Sequence, residues 1–310
     1  MENKIICPVC GTKHPKFIEK IKRDDLVYLY KRYFNYHNII QEVQSDFDFF
    51  ICSHCHVKFF YPMFAGSAEY YNFLSQMNWY YLHEDKTELE YAMKYIDNGM
   101  KILDVGSGRG VFGKKFLNTD IEYVGLELNP KAVKDAQSDG INVQNIMIEE
   151  YVLNKSNYFD MVVCFQVLEH VSNINIFIDA CLDALKPNGI LIIAVPNNDS
   201  FIKYIPNNLL NIPPHHVSQW NEKSLMYLKE RHSMELVDIF KEKVTNIHKQ
   251  AYIISVMRRY SFFKERQINV SISNKYISFV FTVIAKFIHR FCKNISADGQ
   301  TIIATYRKKL

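Results

Sequence analysis

Two groups of residues in this chain have the type and spacing to do chemistry. Residues 102–110 read Ile-Leu-Asp-Val-Gly-Ser-Gly-Arg-Gly: an apolar run closes on an acid, Asp104, and glycines then alternate at 106, 108 and 110 around Ser107. Glycine has no Cβ and takes φ > 0 without steric cost, so such a turn lets backbone approach a nucleotide-like ligand closely. The second group is a pair of Cys-x-x-Cys sequences, Cys7/Cys10 and Cys52/Cys55, with 41 residues between them. In a reducing compartment, two such pairs read as zinc rather than disulfide, each knuckle giving two thiolates to one tetrahedral Zn²⁺ at about 2.3 Å. Four protein ligands leave no open coordination position, so this would be a structural site. His14, His54 and His56 are potential substitute ligands that a four-cysteine site leaves without a role; a redox Cys-x-x-Cys or unrelated free thiols are the other readings.

The glycine turn needs a strand before it and a helix after it. Val111 to Leu117 has a helix-like pattern, and Ile121 to Leu128 is a second strand with an acid, Glu127, at its end. A carboxylate there, about 20 residues past the turn, can accept hydrogen bonds from both hydroxyls of a ribose. Asn129-Pro130 opens the next helix, with Pro in the first turn. Phe159 to Phe165 is a buried strand, and Leu185 to Gly189 is a turn into the strand Ile190 to Pro196. With 101–106, 121–127, 141–146, 159–165, 190–196, a weaker one near 235–241, and 301–307 as strands alternating with helices, the fold class is α/β, a doubly wound, mostly parallel seven-stranded sheet. The spacing is not that of a dinucleotide site, because the position three after Gly108 is Val111.

Asp-x-Gly-x-Gly-x-Gly resembles the first motif of class I S-adenosylmethionine-dependent methyltransferases. "FDMVVCFQVLEHV" and "LKPNGILIIAVPN" look like later motifs of the same superfamily, and Thr301 to Arg307 fits its antiparallel last strand. The resemblance covers roughly 85–243 plus the last ten residues. It implies S-adenosylmethionine lying across the carboxyl ends of the strands. Gly106, Ser107, Gly108 and Gly110 would flank its methionine and ribose parts, and Asp104 would reach its amino-acid end through water. Glu127 would take the ribose hydroxyls, Leu128 would pack on the adenine, and Gln166 would sit near the sulfonium. After the third strand the family reads the adenine amine with a polar side chain; the local run Asn145 to Glu149 departs from that, leaving backbone groups of Ile146 or Met147. Glu169 reads as a first-turn or capping residue and His170 as bonding nearby backbone, with a catalytic His170 as the alternative.

The N-terminal cysteines, "FICSHCHVKFFYP" and the Tyr-rich stretch after it resemble bacterial methyltransferases of sugars, nucleotide sugars or surface-glycan precursors, some of them C-methyltransferases. In those the zinc module helps form the substrate side of the cleft. The expected layout is a zinc-ribbon-like module at 1–65, with Phe47–Cys52 and Val57–Tyr61 as strands and a small inserted element between the knuckles. A linker and helix over the cofactor cleft follow at 66–98, with helical patterning from Glu84 to Ile96. The core spans 99–243 and 298–310, and a helical insertion 244–297. Tyr70, Tyr71, Tyr80 and Tyr81 either close over a ligand or pack module against core.

An acceptor hydroxyl is a poor nucleophile near neutrality, so a base helps, and imidazole is suited to that pH. Pro213-Pro214-His215-His216-Val217-Ser218-Gln219-Trp220 puts two histidines, His215 and His216, where this superfamily holds acceptor-side groups. Loop-shaping bonds to backbone, with Trp220 as an anchor, are the alternative.

The chain has 310 residues, 48% of them hydrophobic, and a net charge of +4. That charge is too mild to argue for nucleic acid by itself. A sugar or glycan methyltransferase leads. A tRNA or rRNA methyltransferase gripping through Lys13, Lys16, Lys20, Lys22 and Arg23, a quinone-pathway O-methyltransferase and a non-catalytic cofactor binder are the alternatives. Met1-Glu2-Asn3-Lys4 leads straight into the cysteines without an apolar leader, and ten uncharged residues from Tyr276 to Ala285 are too few to span about 30 Å of bilayer. A cytoplasmic protein is expected, with its inner-membrane face as a variant. The insertion is basic in its middle (Arg258, Arg259, Lys264, Arg266) and apolar later, with Lys286, His289, Arg290 and Lys293 on the apolar part. It reads as a cap on the cleft, a homodimer contact or a helix in the membrane surface.

Overall fold

The computed structural model describes residues 5–77, 80, 87–259, 266–270, 275–291 and 295–309, with backbone alone at 275–280 and 291. Tyr81, Lys264, Cys292, Lys293 and the 84–86 start of the expected helix lie outside them. Between the cysteine pairs run β1 (Lys16–Ile21), α1 (Arg23–Phe34), α2 (Ile39–Glu42) and β2 (Phe47–Ile51); β3 (Lys58–Tyr61) and α3 (Ala68–Ser75) follow. The core is α4 (Thr87–Ala92), β4 (Lys101–Val105), α5 (Val111–Lys114), β5 (Glu122–Leu126), α6 (Pro130–Ser138), β6 (Val143–Gln144), α7 (Ile148–Tyr151), β7 (Phe159–Phe165), α8 (Ile174–Ala184) and β8 (Leu185–Pro196). Then come β9 (Ser218–Gln219), α9 (Glu222–Arg231), β10 (Met234–Lys243), α10 (Lys249–Arg259), α11 (Lys275–Phe291) and β11 (Asp298–Lys308).

The large sheet has seven strands in the order β10-β11-β8-β7-β4-β5-β6. β4, β5, β6, β7 and β8 are parallel, and β11 is antiparallel to both β8 and β10. Its central strands are near-continuous apolar runs because helices cover both faces; Met161–Cys164 and Leu191–Val195 are fully buried. Asn129 caps α6 by accepting from the N–H groups of Lys131 and Ala132, with Pro130 at the first helical position.

Three sequence expectations are corrected. Lys186 to Gly189 is not a free turn but a bulge inside β8, since Leu185 already pairs with Phe159. The third strand shrinks to Val143–Gln144, because Ile141 turns inward under Gly110 and Gly113 instead of extending the ladder. The helix before the core, α4, does not lie over the cleft. Its apolar residues Leu89, Tyr91 and Ala92 bury against the sheet face, where the Tyr91 hydroxyl donates to Asp238 Oδ2 (2.7 Å) and also meets Thr305 Oγ1.

The N-terminal segment is joined to the core. A second, four-stranded sheet runs β1-β2-β3-β9, so its last strand comes from the residues just after the paired histidines. Cys7, Val9, Cys52, Cys55 and Phe59 share one apolar core with Ile178, Trp220 and Leu225. Asn175 Nδ2 donates to the carbonyls of Pro8 and Val9, both at 3.1 Å. No helix among the described residues is long and apolar enough to cross a membrane.

Candidate functional site

The glycine turn stands at the carboxyl edge of the sheet, between β4 and α5. Gly106, Gly108 and Gly110 all have positive φ (76°, 55° and 70°). The N–H groups of Gly106 and Ser107 donate to the Leu126 carbonyl, which ties the turn to the end of β5. A Cβ on Gly106 would collide with Val167 Cγ2, so the turn packs directly on the residues after β7. Glu127 caps the same edge. Its carboxylate accepts from the N–H groups of Gly108 (2.9 Å) and Asn129 (2.7 Å). Burial raises its pKa, and those backbone donors, Asn129 first, pull it back.

Leu128 and Met147 stand 59% and 52% exposed beside Glu127. Large apolar side chains exposed next to a polar anchor are what a flat heterocycle would cover. Asn145 Nδ2 donates to the Glu127 carbonyl (2.7 Å) and fixes this corner. Asp104 lies deeper, 3% exposed, accepting from the Tyr123 hydroxyl (2.7 Å) beneath the turn. Gln166 follows β7 with φ 58°, its N–H held by the Ala194 carbonyl.

Sequence spacing did not show that three histidines meet here. His170, on the 3₁₀ turn Leu168–His170, lies with its ring 4.6 Å from that of His215 and 4.7 Å from that of His216, centroid to centroid. β7 and β8 bring them together across 45 residues of chain. His170 does bond backbone, but at a distance: Nδ1–H donates to the His215 carbonyl (2.6 Å), and the Tyr71 hydroxyl donates to the same oxygen (3.4 Å). The rings of Tyr70, Tyr71 and Tyr80 pack around His215 at 6.0, 5.9 and 5.8 Å. His215 and His216 are 4% and 6% exposed, and His215 Nδ1 has no hydrogen-bond partner among the described residues. His216 meets Asn211 Oδ1 (3.3 Å) and stands 3.9 Å from the Glu169 carboxylate. Glu169 itself is fully enclosed, its carbonyl holding the Val217 N–H.

Burial lowers the pKa of all three imidazoles, His170 to about 4, with mutual repulsion adding for His215 and His216. The cluster is therefore neutral at pH 7. The unfolded chain, with ordinary histidines near pKa 6.5, takes up protons first as pH falls. Stability is thus complete above about pH 6.5 and drains away toward pH 4. Urea midpoints measured across that window are expected to fall steadily; flat midpoints would contradict this.

The four cysteines converge as expected. Cys7 and Cys55 Sγ are 3.5 Å apart, Cys10 and Cys52 3.4 Å, and all four sulfurs lie within 4.8 Å of one another. A tetrahedron of sulfurs around Zn²⁺ has edges of about 3.8 Å, so the donor set fits one ion. The knuckles match: Gly11 N–H donates to the Cys7 carbonyl and His56 N–H to that of Cys52, with Gly11 and His56 both at positive φ. Hydrogen bonding from Cys55 holds Cys7 down to about 5, while Cys55 is pushed up. His14, His54 and His56 stay out of the cluster.

Known proteins share the fold of the core. A family model described as a methyltransferase domain matches residues 75–252, more than half of the chain. Over 107 residues the chain is 30% identical to the ubiquinone biosynthesis O-methyltransferase of Rhodopseudomonas palustris (strain TIE-1), covering 33% of this chain and 42% of that one. The mitochondrial ubiquinone biosynthesis O-methyltransferase of Rattus norvegicus is 34% identical over 109 residues, 32% of each chain. The chain thus spans less than half the length of these relatives. A solved S-adenosylmethionine-dependent methyltransferase from Archaeoglobus fulgidus has the same fold, with a TM-score of 0.50 and 20% identity over 78% of this chain and 95% of that one. The chain belongs to the methyltransferase-domain family and carries a class I S-adenosylmethionine-dependent methyltransferase domain.

Proposed function

We propose that the protein methylates an oxygen or carbon of a sugar, nucleotide sugar or surface-glycan precursor, with His215 as the base and a structural Zn²⁺ on Cys7, Cys10, Cys52 and Cys55. The observation that carries the reading is the buried Nδ1 of His215, which has no hydrogen-bond partner among the described residues. The His215 backbone is clamped by His170 and Tyr71, so a nitrogen is left to take a proton from a ligand rather than to hold the loop. A wall of tyrosine rings beside imidazoles suits a pyranose, which offers C–H faces to aromatics and hydroxyls to polar groups.

Bound S-adenosylmethionine supplies an electrophilic methyl group on a sulfonium. Glu127 would hold its ribose, Leu128 and Met147 would flank its adenine, and Gly106, Ser107, Gly108 and Gly110 would give its methionine end room. Asp104, through Tyr123, stiffens the strand end beneath them. Val167 and Gln166 join this rim to the histidine cluster, since the His170 N–H donates to the Val167 carbonyl (2.9 Å). Alignment of donor and acceptor supplies much of the rate. His215, with His216 behind it, takes the acceptor's proton. Glu127→Gln is expected to weaken S-adenosylmethionine binding about 10–100-fold, the worth of hydrogen bonds to a charged group, with melting temperature nearly unchanged. An unchanged affinity by calorimetry would remove Glu127 from the cofactor site.

A quinone-type acceptor is the second reading, favoured by the names of the relatives. One experiment separates the classes: the protein is incubated with methyl-labelled S-adenosylmethionine and, separately, nucleotide sugars, polyprenylated phenols and total RNA. Label on a nucleotide sugar is the expected result. Label on the phenol or the RNA overturns the sugar assignment.

A further inference from the structure

The loop between β10 and β11 has a charge of its own. Residues 244–297 hold nine Lys or Arg and one acid, Glu265, so this segment is +8 in a chain that is +4 overall, and the remainder is −4. Its longest helix, α11, contains no Asp or Glu.

The fold sets this segment beside the candidate site. Lys243 pairs with Asp298, and Thr301 with Pro196, so the segment leaves and re-enters the sheet at the edge where β8 ends. That is the edge holding the glycine turn and Glu127, because β4, β5, β7 and β8 are parallel. α10 packs on the 3₁₀ turn Phe201–Tyr204 that follows β8, and α11 packs on α10, with Arg258 over the Phe281 ring at 6.0 Å.

Among its described side chains, α11 has one buried face and one amphipathic outer face. Ala285 is fully buried, with Phe281, Ile288 and His289 half-buried near it. On the far side Val283, Ile284 and Phe287 are 48%, 42% and 65% exposed, and the exposed Lys286 and Arg290 stand beside them. A solvent-facing apolar row bordered by cations, without acids, is the pattern of a helix lying in a lipid interface: the apolar row enters the acyl boundary while the basic residues meet headgroup phosphates. A surface for a second copy of this chain would have to bring this +8 segment against its own equal, or against a body that is only −4 overall.

We propose that α11 docks the protein on an anionic membrane surface, with Val283, Ile284 and Phe287 inserted and Lys286 and Arg290 on the phosphates. α11 lies on the membrane rather than across it, and it brings the carboxyl edge of the sheet toward the bilayer. An acceptor tethered to lipid would reach the site without leaving its membrane.

Cosedimentation of the full chain with vesicles tests this. Vesicles of equal parts phosphatidylglycerol and phosphatidylcholine are compared with pure phosphatidylcholine, at low and moderate salt. The expected result is pelleting with the anionic vesicles only, weakened by salt. Lys286→Glu with Arg290→Glu is expected to cut binding by at least about tenfold, and Phe287→Ser by several-fold. S-adenosylmethionine affinity, measured on the same samples, should be retained, which shows that the variants fold. No pelleting, or equal pelleting of wild type and both variants, overturns the proposal. So does a dimer in sedimentation velocity that Phe287→Ser dissolves, which would assign the face to a second copy.

Discussion

His215→Ala is expected to lower turnover about 10²–10⁴-fold, the usual worth of a positioned general base, while S-adenosylmethionine binds as before. The separation follows from the geometry. His215 is held through its carbonyl by His170 and Tyr71, so alanine at 215 keeps those two bonds and loses only the ring. The proposed cofactor edge, built from Gly106, Gly108, Glu127 and Leu128, does not use that ring. Because burial holds His215 well below the ordinary imidazole range, the base stays unprotonated through neutral pH. The acid limb of turnover in the wild type is expected well below the ordinary imidazole value of about 6.5, and its loss in the variant identifies the titrating group. Turnover within twofold of wild type would show that positioning alone carries the reaction. Tyr71→Phe, which removes one of the two donors on the His215 carbonyl, is expected to give a smaller loss.

Cys52→Ser is expected to abolish stoichiometric zinc, from one ion per chain to none, and to lower the melting temperature by roughly 10 °C, as the loss of several kcal/mol does in a chain of this size. Metal analysis and calorimetry check both. The consequence reaches beyond the knuckles. Cys52 directly follows β2, β2 pairs with β3, and β3 pairs with β9, the strand that leaves the histidine loop. Trp220, fully buried with its Nε1–H on Ser218 Oγ (3.0 Å), lies in the same apolar core as Cys52. Turnover is therefore expected to fall with the metal even though no cysteine touches the acceptor. A Cys52→Ser protein that keeps its stability and its zinc would contradict the assignment of a four-thiolate ion.

The parts that were legible in the sequence obey local rules. The glycine turn needs positive φ at 106, 108 and 110, and the residue types state that requirement directly. The parallel strands are buried on both faces, so they read as unbroken apolar runs such as Met161–Cys164. The cysteine pairs declare their partners by chemistry. What was hidden depends on distant chain segments meeting. β1 is an edge strand whose residues from Lys16 to Ile18 are exposed, so it lacks an apolar alternation. β9 is two residues long and exists because β3 offers it a ladder. His170 lies on a turn after β7, and its meeting with His215 depends on β7 and β8 being neighbours in the sheet. α4 has helical patterning that fits any apolar surface; only its packing on β11, with Tyr91 reaching Asp238 of β10, decided where it lies.

In the proposed reaction the rim formed by Gly106 to Gly110 and Glu127 would hold S-adenosylmethionine beside the three histidines. Titration calorimetry of S-adenosylmethionine into the protein tests it most directly. One site per chain is expected, with comparable binding of S-adenosylhomocysteine and unchanged affinity in His215→Ala against a 10–100-fold loss in Glu127→Gln. Absence of binding by the intact, folded protein would contradict the account at its base, because every later step requires the cofactor on that rim.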